Sequence, residues 1–458
     1  MPATITDTLR RQIARDYYNA FEKQTHNYYV AIGKSEPWDS SENVPNPVNS
    51  PETITQFRNS VQSMKKVKST SLVVPRNNWS NGTIYSQYDD TIGGYPTQPY
   101  YVKNENNQVF VCLETGRNRL GVAQPSTVEP TFSNNDSFRL ADGYVWKFLY
   151  TISGSRAEQF QSSNFIPVQK QFNVDSNSTG IELKQKAVQD STNPGEILSI
   201  ILTDGGTGYT SIPTVKIIGN GNGHAKAVAD IDSAAGVVTR IRMKDSQHPS
   251  GPGVGTANIA HGEGYTRALI KIIGGGGTGA TARAVLPFSD SGCGADARVD
   301  LKTSSIMFHT MIEGNDSNFL TGQDFRQVAL IKDPLDQNGN KITSNTASVL
   351  DFMRLSSILS PFTLDKIIEG QTTFARAYID YIDSDKIYYH QDENTGFDAF
   401  IDGEIIEETT GPGQGIIDSA LILPQVDRRT GDILYIDNRG PVQRTLAQAE
   451  DIKIILQF

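Results

Sequence analysis

The chain has 458 residues, a net charge of −10, 20% charged and 37% apolar residues, with 40 glycines and 21 prolines; that length calls for two or three domains, each able to bury a core, and that balance is globular and turn-rich rather than disordered. An acidic chain does not suit a dedicated nucleic-acid binder, which neutralises phosphates with a basic face. Two distant cysteines, Cys112 and Cys293, are no disulfide framework and fit a reducing compartment, and no run approaches the roughly 18 apolar residues of a membrane span.

The first predicted element is a helix, in which Ile5, Leu9, Ile13, Tyr17 and Phe21 recur every four residues and Ala14 and Tyr18 widen the stripe. Arg10, Arg11, Arg15 and Asp16 interrupt it, so it is no signal peptide and the chain is expected to be made and to stay in a cytoplasm. Asn27 to Ile32 reads as a strand closed by Gly33. A second helix starts at the N-cap Ser50, with Pro51 and Glu52 in its first turn and Ile54, Phe57, Val61 and Met64 as its apolar face. Lys65, Lys66 and Lys68 then read as a solvated helix end. From Leu72 the signal is mainly β, with strand-like runs at Leu72 to Val74, Val109 to Leu113 and Val145 to Ile152, and a long Tyr/Asp/Gly/Pro loop between Trp79 and Tyr101.

Between Gly195 and Asp290 the composition changes: 18 of the glycines lie there, with only Tyr209, Tyr265 and Phe288 as aromatics. An internal repeat explains the shift. Gly208-Tyr209-Thr210 recurs as Gly264-Tyr265-Thr266, Ile217-Ile218-Gly219 as Ile272-Ile273-Gly274, and Ala225-Lys226-Ala227-Val228 as Ala282-Arg283-Ala284-Val285. Each copy reads as a hairpin-based β unit with glycine turns, and two copies suit a small inserted domain better than a solenoid. Alternation about Phe374 to Asp380 and the turn-strand-turn Gly396 to Glu404 mark a second β module. Ile433 to Ile436 reads as a strand buried on both faces, and Ile452, Ile454, Leu456 and Phe458 alternate to the last residue.

No phrase of the chain spells out a reaction. Gly274 to Gly279 lacks the Lys and Ser/Thr that end a phosphate loop, and at that repeat position it reads as a hairpin turn. The histidines, His26, His224, His248, His261, His309 and His390, show no zinc-ligand spacing. Asp336 to Asn340 has its glycine too early for a calcium loop and reads as a surface turn. Glu404, Glu407 and Glu408 suggest paired carboxylates, with a solvated strand end as the default. Neither catalytic, cofactor nor metal residues are therefore expected. The three tryptophans sit in turn-plus-aromatic phrases, Gly33 to Trp38, Val74 to Trp79 and Asp142 to Phe148, that look like shape-fixing elements.

Taken together, Gly33-Lys34-Ser35-Glu36-Pro37-Trp38 with Ser41-Glu42-Asn43, Val73-Val74-Pro75-Arg76-Asn77-Asn78-Trp79, Phe110-Val111-Cys112-Leu113 and Asp142-Gly143-Tyr144-Val145-Trp146-Lys147-Phe148-Leu149 form an ordered series. Phe325-Arg326-Gln327-Val328 with Asp333-Pro334-Leu335, Gly431-Asp432-Ile433-Leu434-Tyr435-Ile436-Asp437-Asn438-Arg439 and the closing strand Ile452 to Phe458 continue it. In this order the phrases resemble the baseplate wedge subunit that gene eight encodes in T-even-type contractile-tailed phages, over residues 1–175, 300–362 and 425–458. The glycine repeat and the second β module lie outside the match.

The resemblance implies a mainly β fold, a layered β-sandwich core with a few helices in connecting segments, to which the sequence adds inserted small β domains. It places core at 1–178, 296–365 and 423–458, a glycine-rich β-repeat insertion at 179–295 and a second small β module at 366–422. It further implies a virion protein of the tail baseplate, assembled in the host cytoplasm. There it forms a homodimer that joins other, larger baseplate wedge proteins, with neither nucleic acid nor membrane as partner and with no cofactor or reaction. Trp38, Arg76, Trp79, Tyr144, Trp146, Phe325, Arg326, Tyr435 and Arg439 are then the candidate packing or interface anchors. A receptor-binding or polysaccharide-degrading tail protein is the alternative.

Overall fold

A computed structural model describes residues 4–39, 41, 43–245, 259–322 and 324–458, leaving Glu42 and His248 of the residues above outside the described set. The fold is mainly β, with 40% of residues in strands and 11% in helices. The chain divides into two compact units: Met1–Asp16, Ser71–Ile306 and Gln457–Phe458 form the first, Tyr17–Thr70 and Met307–Leu456 the second.

The centre of the first unit is an antiparallel sheet in the order Tyr101–Lys103, Gln108–Glu114, Val145–Thr151, Ser137–Arg139. Both of its faces are covered, because both faces are apolar. Val109, Val111, Leu113, Val145 and Leu149 join one core, and Phe110, Cys112, Trp146 and Phe148 the other. The pair formed by Leu72–Pro75 with Phe165–Val168 adds Val74, Ile166 and Val168 to the first core. The helix Gly180–Asp190, closed by a Thr179/Glu182 capping box, brings Val188 to the second. The long loop after Trp79 is anchored from within: Tyr85, Tyr88 and Tyr100 are each 1% exposed, core residues carried on irregular backbone.

The glycine-rich segment contributes to the first core through Tyr209, Met243, Tyr265 and Val285, so residues on both sides of position 179 share one interior. The second copy forms the expected hairpin, Ala268–Ile273 pairing with Thr278–Val285 across the Gly274 to Gly277 turn, and further ladders join the two copies. Middle strand Thr214–Gly219 pairs with middle strand Ala268–Ile273. Ser199–Thr207, before the first Gly-Tyr-Thr, pairs with Thr278–Val285, and Val237–Met243, before the second, pairs with Ala227–Asp232. The register Thr214↔Ile273, Lys216↔Lys271, Ile218↔Leu269 is symmetric about the lysine pair, so the two copies are related by a local two-fold. The reason lies in the glycines. A β-carbon on Gly221 would stand 2.4 Å from the Tyr265 ring, and one on Gly277 would stand 2.5 Å from Tyr209. Each tyrosine thus inserts into the glycine loop of the other copy, which ties the copies together.

In the second unit a five-stranded sheet runs Thr346–Ser348, Val61–Lys66, Tyr28–Gly33, Asp324–Lys332, Asp432–Gln443. Six strands close a barrel in the order Asp351–Ser360, Lys386–His390, Arg376–Asp383, Ile367–Gly370, Ile405–Glu408, Gln414–Ile422, which takes in a strand before residue 366. The barrel interior is its own core, built on Met353, Ile368, Ala377, Ile379, Ile387, Ile406 and Ile417.

Several local expectations are corrected. The helix Pro51–Ser60 is capped by Ser50, which accepts from Thr53 N, but it ends before Val61; Val61–Lys66 is a strand. The Ser60 hydroxyl donates back to Gln56 O and the β-branched Val61 turns extended, so a period that fits a helix continues in a strand. Lys65 is consequently interior, ion-paired with Asp316, not at a solvated helix end. The first helix is Asp7–Glu22, so Ile5 lies before it; Ile5 and Leu9 are 64% and 49% exposed while Arg11 and Ala14 are buried. Arg11 donates to Gly93 O at 3.1 Å and covers the Phe288 ring, which accounts for a buried cation on that face. The strand Asp432–Gln443 is an edge strand, and Ile433 to Ile436 are half-buried rather than covered on both faces.

Candidate functional site

Four of the nine predicted anchors lie in the first unit. Trp146 and Tyr144 are both fully buried and stack at 5.8 Å, and Tyr85 meets Trp146 edge-on at 5.5 Å. Tyr144 Oη donates to Gln124 O and accepts from Tyr85 N, so this aromatic cluster also pins the long loop. Trp79 packs against the same cluster and donates Nε1–H to Ser126 Oγ at 3.1 Å. Trp146 Nε1 has no hydrogen-bond partner; its role is volume. Arg76 stands apart, donating to Asn78 Oδ1 and Ser162 O.

The other five lie in the second unit. Trp38 donates Nε1–H to Arg439 O at 2.7 Å, with Lys34 Nζ 4.9 Å from its ring centroid. Arg439 itself is exposed and paired with Asp437 at 2.7 Å. Arg326, buried, donates to Ser35 O. Phe325 is 3% exposed, and Tyr435 is half-buried on the edge strand. The phrase Gly33 to Trp38 is therefore a strap held by Arg326 at one point and by Arg439 at another.

The strap also carries a group that sequence reasoning missed. His390, on the barrel strand Lys386–His390, is fully enclosed, with Nδ1 at 2.6 Å from Asp380 Oδ2 and Nε2 at 3.4 Å from Glu36 Oε2. The second contact lacks hydrogen-bond alignment and is an ion pair. Burial by itself would lower the imidazole; Asp380 and Glu36 outweigh it and raise His390 to about 10. Burial would likewise raise Glu36, but His390 and Lys34 hold it down at about 2. Asp380 also accepts from Ser35 Oγ at 2.7 Å. The arrangement is a charged lock between strap and barrel, and Glu36 also borders a cleft with Lys34, Trp38, Gln327 and Asp392. No sequence signal marks it, since Asp380 and Ser35 are 345 positions apart.

Two further clusters carry titratable chemistry. In the first unit Lys147 is buried 3.9 Å from Glu196, whose Oε1 accepts from Cys293 N, and Gly294 N donates to Asp300 Oδ2 at 2.8 Å. Burial opposes the Lys147 charge, but Glu196, Cys293 and Asp300 outweigh it and raise the ammonium. Asp300 is raised by burial to about 8. A folded carboxyl that keeps its proton to about 8, against 3.8 for the ordinary group, costs stability as pH rises through that window. Asp300→Asn is therefore expected to match the natural protein near pH 3.8 and to unfold at a higher temperature near pH 8. Thermal scans at the two pH values check it.

Beside Lys147, Ser137 Oγ is 2.8 Å from His261 Nε2, and His261 Nδ1 is 2.7 Å from Ile197 O. With Nδ1–H donating to the carbonyl, Nε2 accepts from the serine. The third member is a backbone carbonyl, not a carboxylate. The pair lines a polar pocket with Lys147, Glu196, Asn222 and Glu263. It joins the segment around His261 to the strand Ser137–Arg139, residues 124 positions apart that no spacing rule connects.

The carboxylates singled out from sequence are not a solvated strand end. Glu404 is 4% exposed and accepts from Ile401 N and from the Thr373 backbone and hydroxyl; Glu408 is 6% exposed and accepts from Thr363 N. Glu407 accepts from Gln414 Nε2. Glu404 and Glu408 fasten barrel loops, and Glu407 bonds its cross-strand neighbour. Asp336 accepts from Asn338 N and Asn340 N at 2.8 Å, a self-contained surface turn. Cys112 and Cys293 are free and buried. Among the described residues no group of three or more His, Cys, Asp or Glu is placed to hold a metal ion, and no helix is long and apolar enough to cross a membrane. No family model and no curated protein matches the chain.

Proposed function

We propose that this protein is a structural subunit of the baseplate wedge of a contractile phage tail, a homodimer that joins larger wedge proteins and catalyses no reaction. The observation that carries the reading is where the resembling phrases lie. Phrases hundreds of residues apart meet in the second unit, phrases tens of residues apart meet in the first, and both serve packing. In the second unit Gly33 to Trp38 is fastened by Arg326 and Arg439, and Phe325 to Val328 lies on a strand paired with both Tyr28–Gly33 and Asp432–Gln443. In the first unit Trp79 packs on the cluster that Phe110, Cys112, Tyr144 and Trp146 build. The aromatic and arginine residues of these phrases join distant segments of one chain into rigid units, which supports a shape-fixing role.

The edge strand Asp432–Gln443 supports self-association. It is 12 residues long, carries the half-buried run Ile433 to Ile436, and has a strand on one side only. Apolar edge segments recruit another chain unless shielded; Trp38 already bonds Arg439 O, so a two-fold contact would use the run Ile433 to Ile436 of both copies. Light scattering on the purified protein tests this. The expected mass is twice the 50.2 kDa of one chain; a monomer at micromolar concentration contradicts the dimer, and cleavage of host-surface polysaccharide contradicts a purely structural role.

A further inference from the structure

The outer face of the glycine repeat has no role in the reading above. On the paired middle strands, Val215, Ile217, Ile270 and Ile272 turn inward to the core. The opposite face carries Ile218 beside Leu269 at one end, Thr214 beside Ile273 at the other, and Lys216 directly opposite Lys271 between them. Ile218, Leu269 and Ile273 are 47%, 56% and 45% exposed, and neighbouring Ile212 is 66% exposed. Ile218 and Leu269 also wall a groove with Ala268 and Arg267. Neither lysine forms an ion pair with any described residue.

Two like charges facing each other across a ladder work against the sheet, and exposed large aliphatics in a cluster mark contact surfaces. A lysine on an edge strand can deter unwanted strand addition. That explains Lys216 on the edge strand Thr214–Gly219, but not Lys271 on the inner strand nor the aliphatic residues beside both. One occupant relieves both costs: a segment with two carboxylates over the lysines and apolar side chains over the flanking aliphatics. We infer that this face is a docking surface for an acidic protein segment whose two central carboxylates are flanked by apolar residues. The local two-fold relates Ile218 to Ile273 and Lys216 to Lys271, while Thr214 stands where the other half has Leu269, so one end of the surface is the more apolar. The inference is independent of the baseplate reading.

The test uses the full chain and a fluorescent synthetic peptide with two central glutamates between leucines, titrated by anisotropy. The same peptide with glutamines, phosphatidylglycerol vesicles and duplex DNA are run beside it. The expected result is saturable binding of the glutamate peptide, weakened about tenfold or more by glutamine in the peptide or by Lys216→Glu with Lys271→Glu in the protein. Lys216→Glu alone is expected to raise the unfolding temperature, since opposite charges then face each other, while weakening peptide binding. That separates a recognition role from a folding role. Absence of saturable binding at roughly millimolar peptide, equal binding by the double variant, or preference for vesicles or DNA over the peptide overturns the inference.

Discussion

Replacing His390 by alanine is expected to loosen the barrel more than any other single change of a charged residue in the second unit. The substitution leaves Asp380 and Glu36 facing one another in the interior without their shared cation. Breaking a buried pair in this way costs about 3–5 kcal/mol. Hydrogen exchange at amides of Arg376–Asp383 and Lys386–His390 reads the loss as local opening; exchange unchanged from the natural protein contradicts it. The pH profile gives a second signature. His390 is raised from 6.5 to about 10, so its contribution is complete below pH 6.5 and is lost as pH rises through about 10. Glu36 is lowered from 4.5 to about 2, so its contribution is complete above pH 4.5 and is lost as pH falls through about 2. The lock is therefore at full strength between pH 4.5 and 6.5, and in the alanine variant the decline above that window disappears from the urea-unfolding profile.

Trp146→Ala is the counterpart in the first unit. The side chain is fully buried among Tyr85, Tyr144 and Phe148, on a sheet packed on both faces. Removing a side chain of that size from a close-packed core costs about 3–5 kcal/mol. Trp146→Phe is expected to cost less and to lose no hydrogen bond, because Nε1 has no partner. Trp38→Ala, in contrast, removes one hydrogen bond to Arg439 O and the Lys34 ring contact, a loss of about 1–2 kcal/mol. Thermal unfolding of the three variants tests the order; equal losses at Trp38 and Trp146 would show that the two are not different kinds of anchor.

What was legible in the sequence follows the range of the forces involved. Ser50 with Pro51 and Glu52 fixes a helix start through contacts three residues apart, and that start is found where it was expected. The apolar runs Val109 to Leu113 and Val145 to Ile152 mark strands, but not what covers their two faces; that depends on Val74 and Tyr209 on one side and Val188 on the other. Val61 and Met64 suit a helix face and a strand equally, and the partner strand Tyr28–Gly33 decides between them. The repeat was visible as self-similarity, whereas its exchange of strands and tyrosines between copies was not, because each glycine loop reads locally as a turn. The charged groups were least legible: His390, Asp380 and Glu36, like Lys147, Glu196 and Asp300, are single residues from distant segments, and only the fold gives them partners.

High-resolution imaging of intact contractile tails, with side-chain density sufficient to trace this chain, measures the proposed role most directly. The expected result is two copies in each baseplate wedge, touching each other and larger wedge proteins, with Trp38 seated against Arg439 as in the isolated chain. Finding the chain outside the baseplate, or as isolated single copies within it, would contradict the proposal.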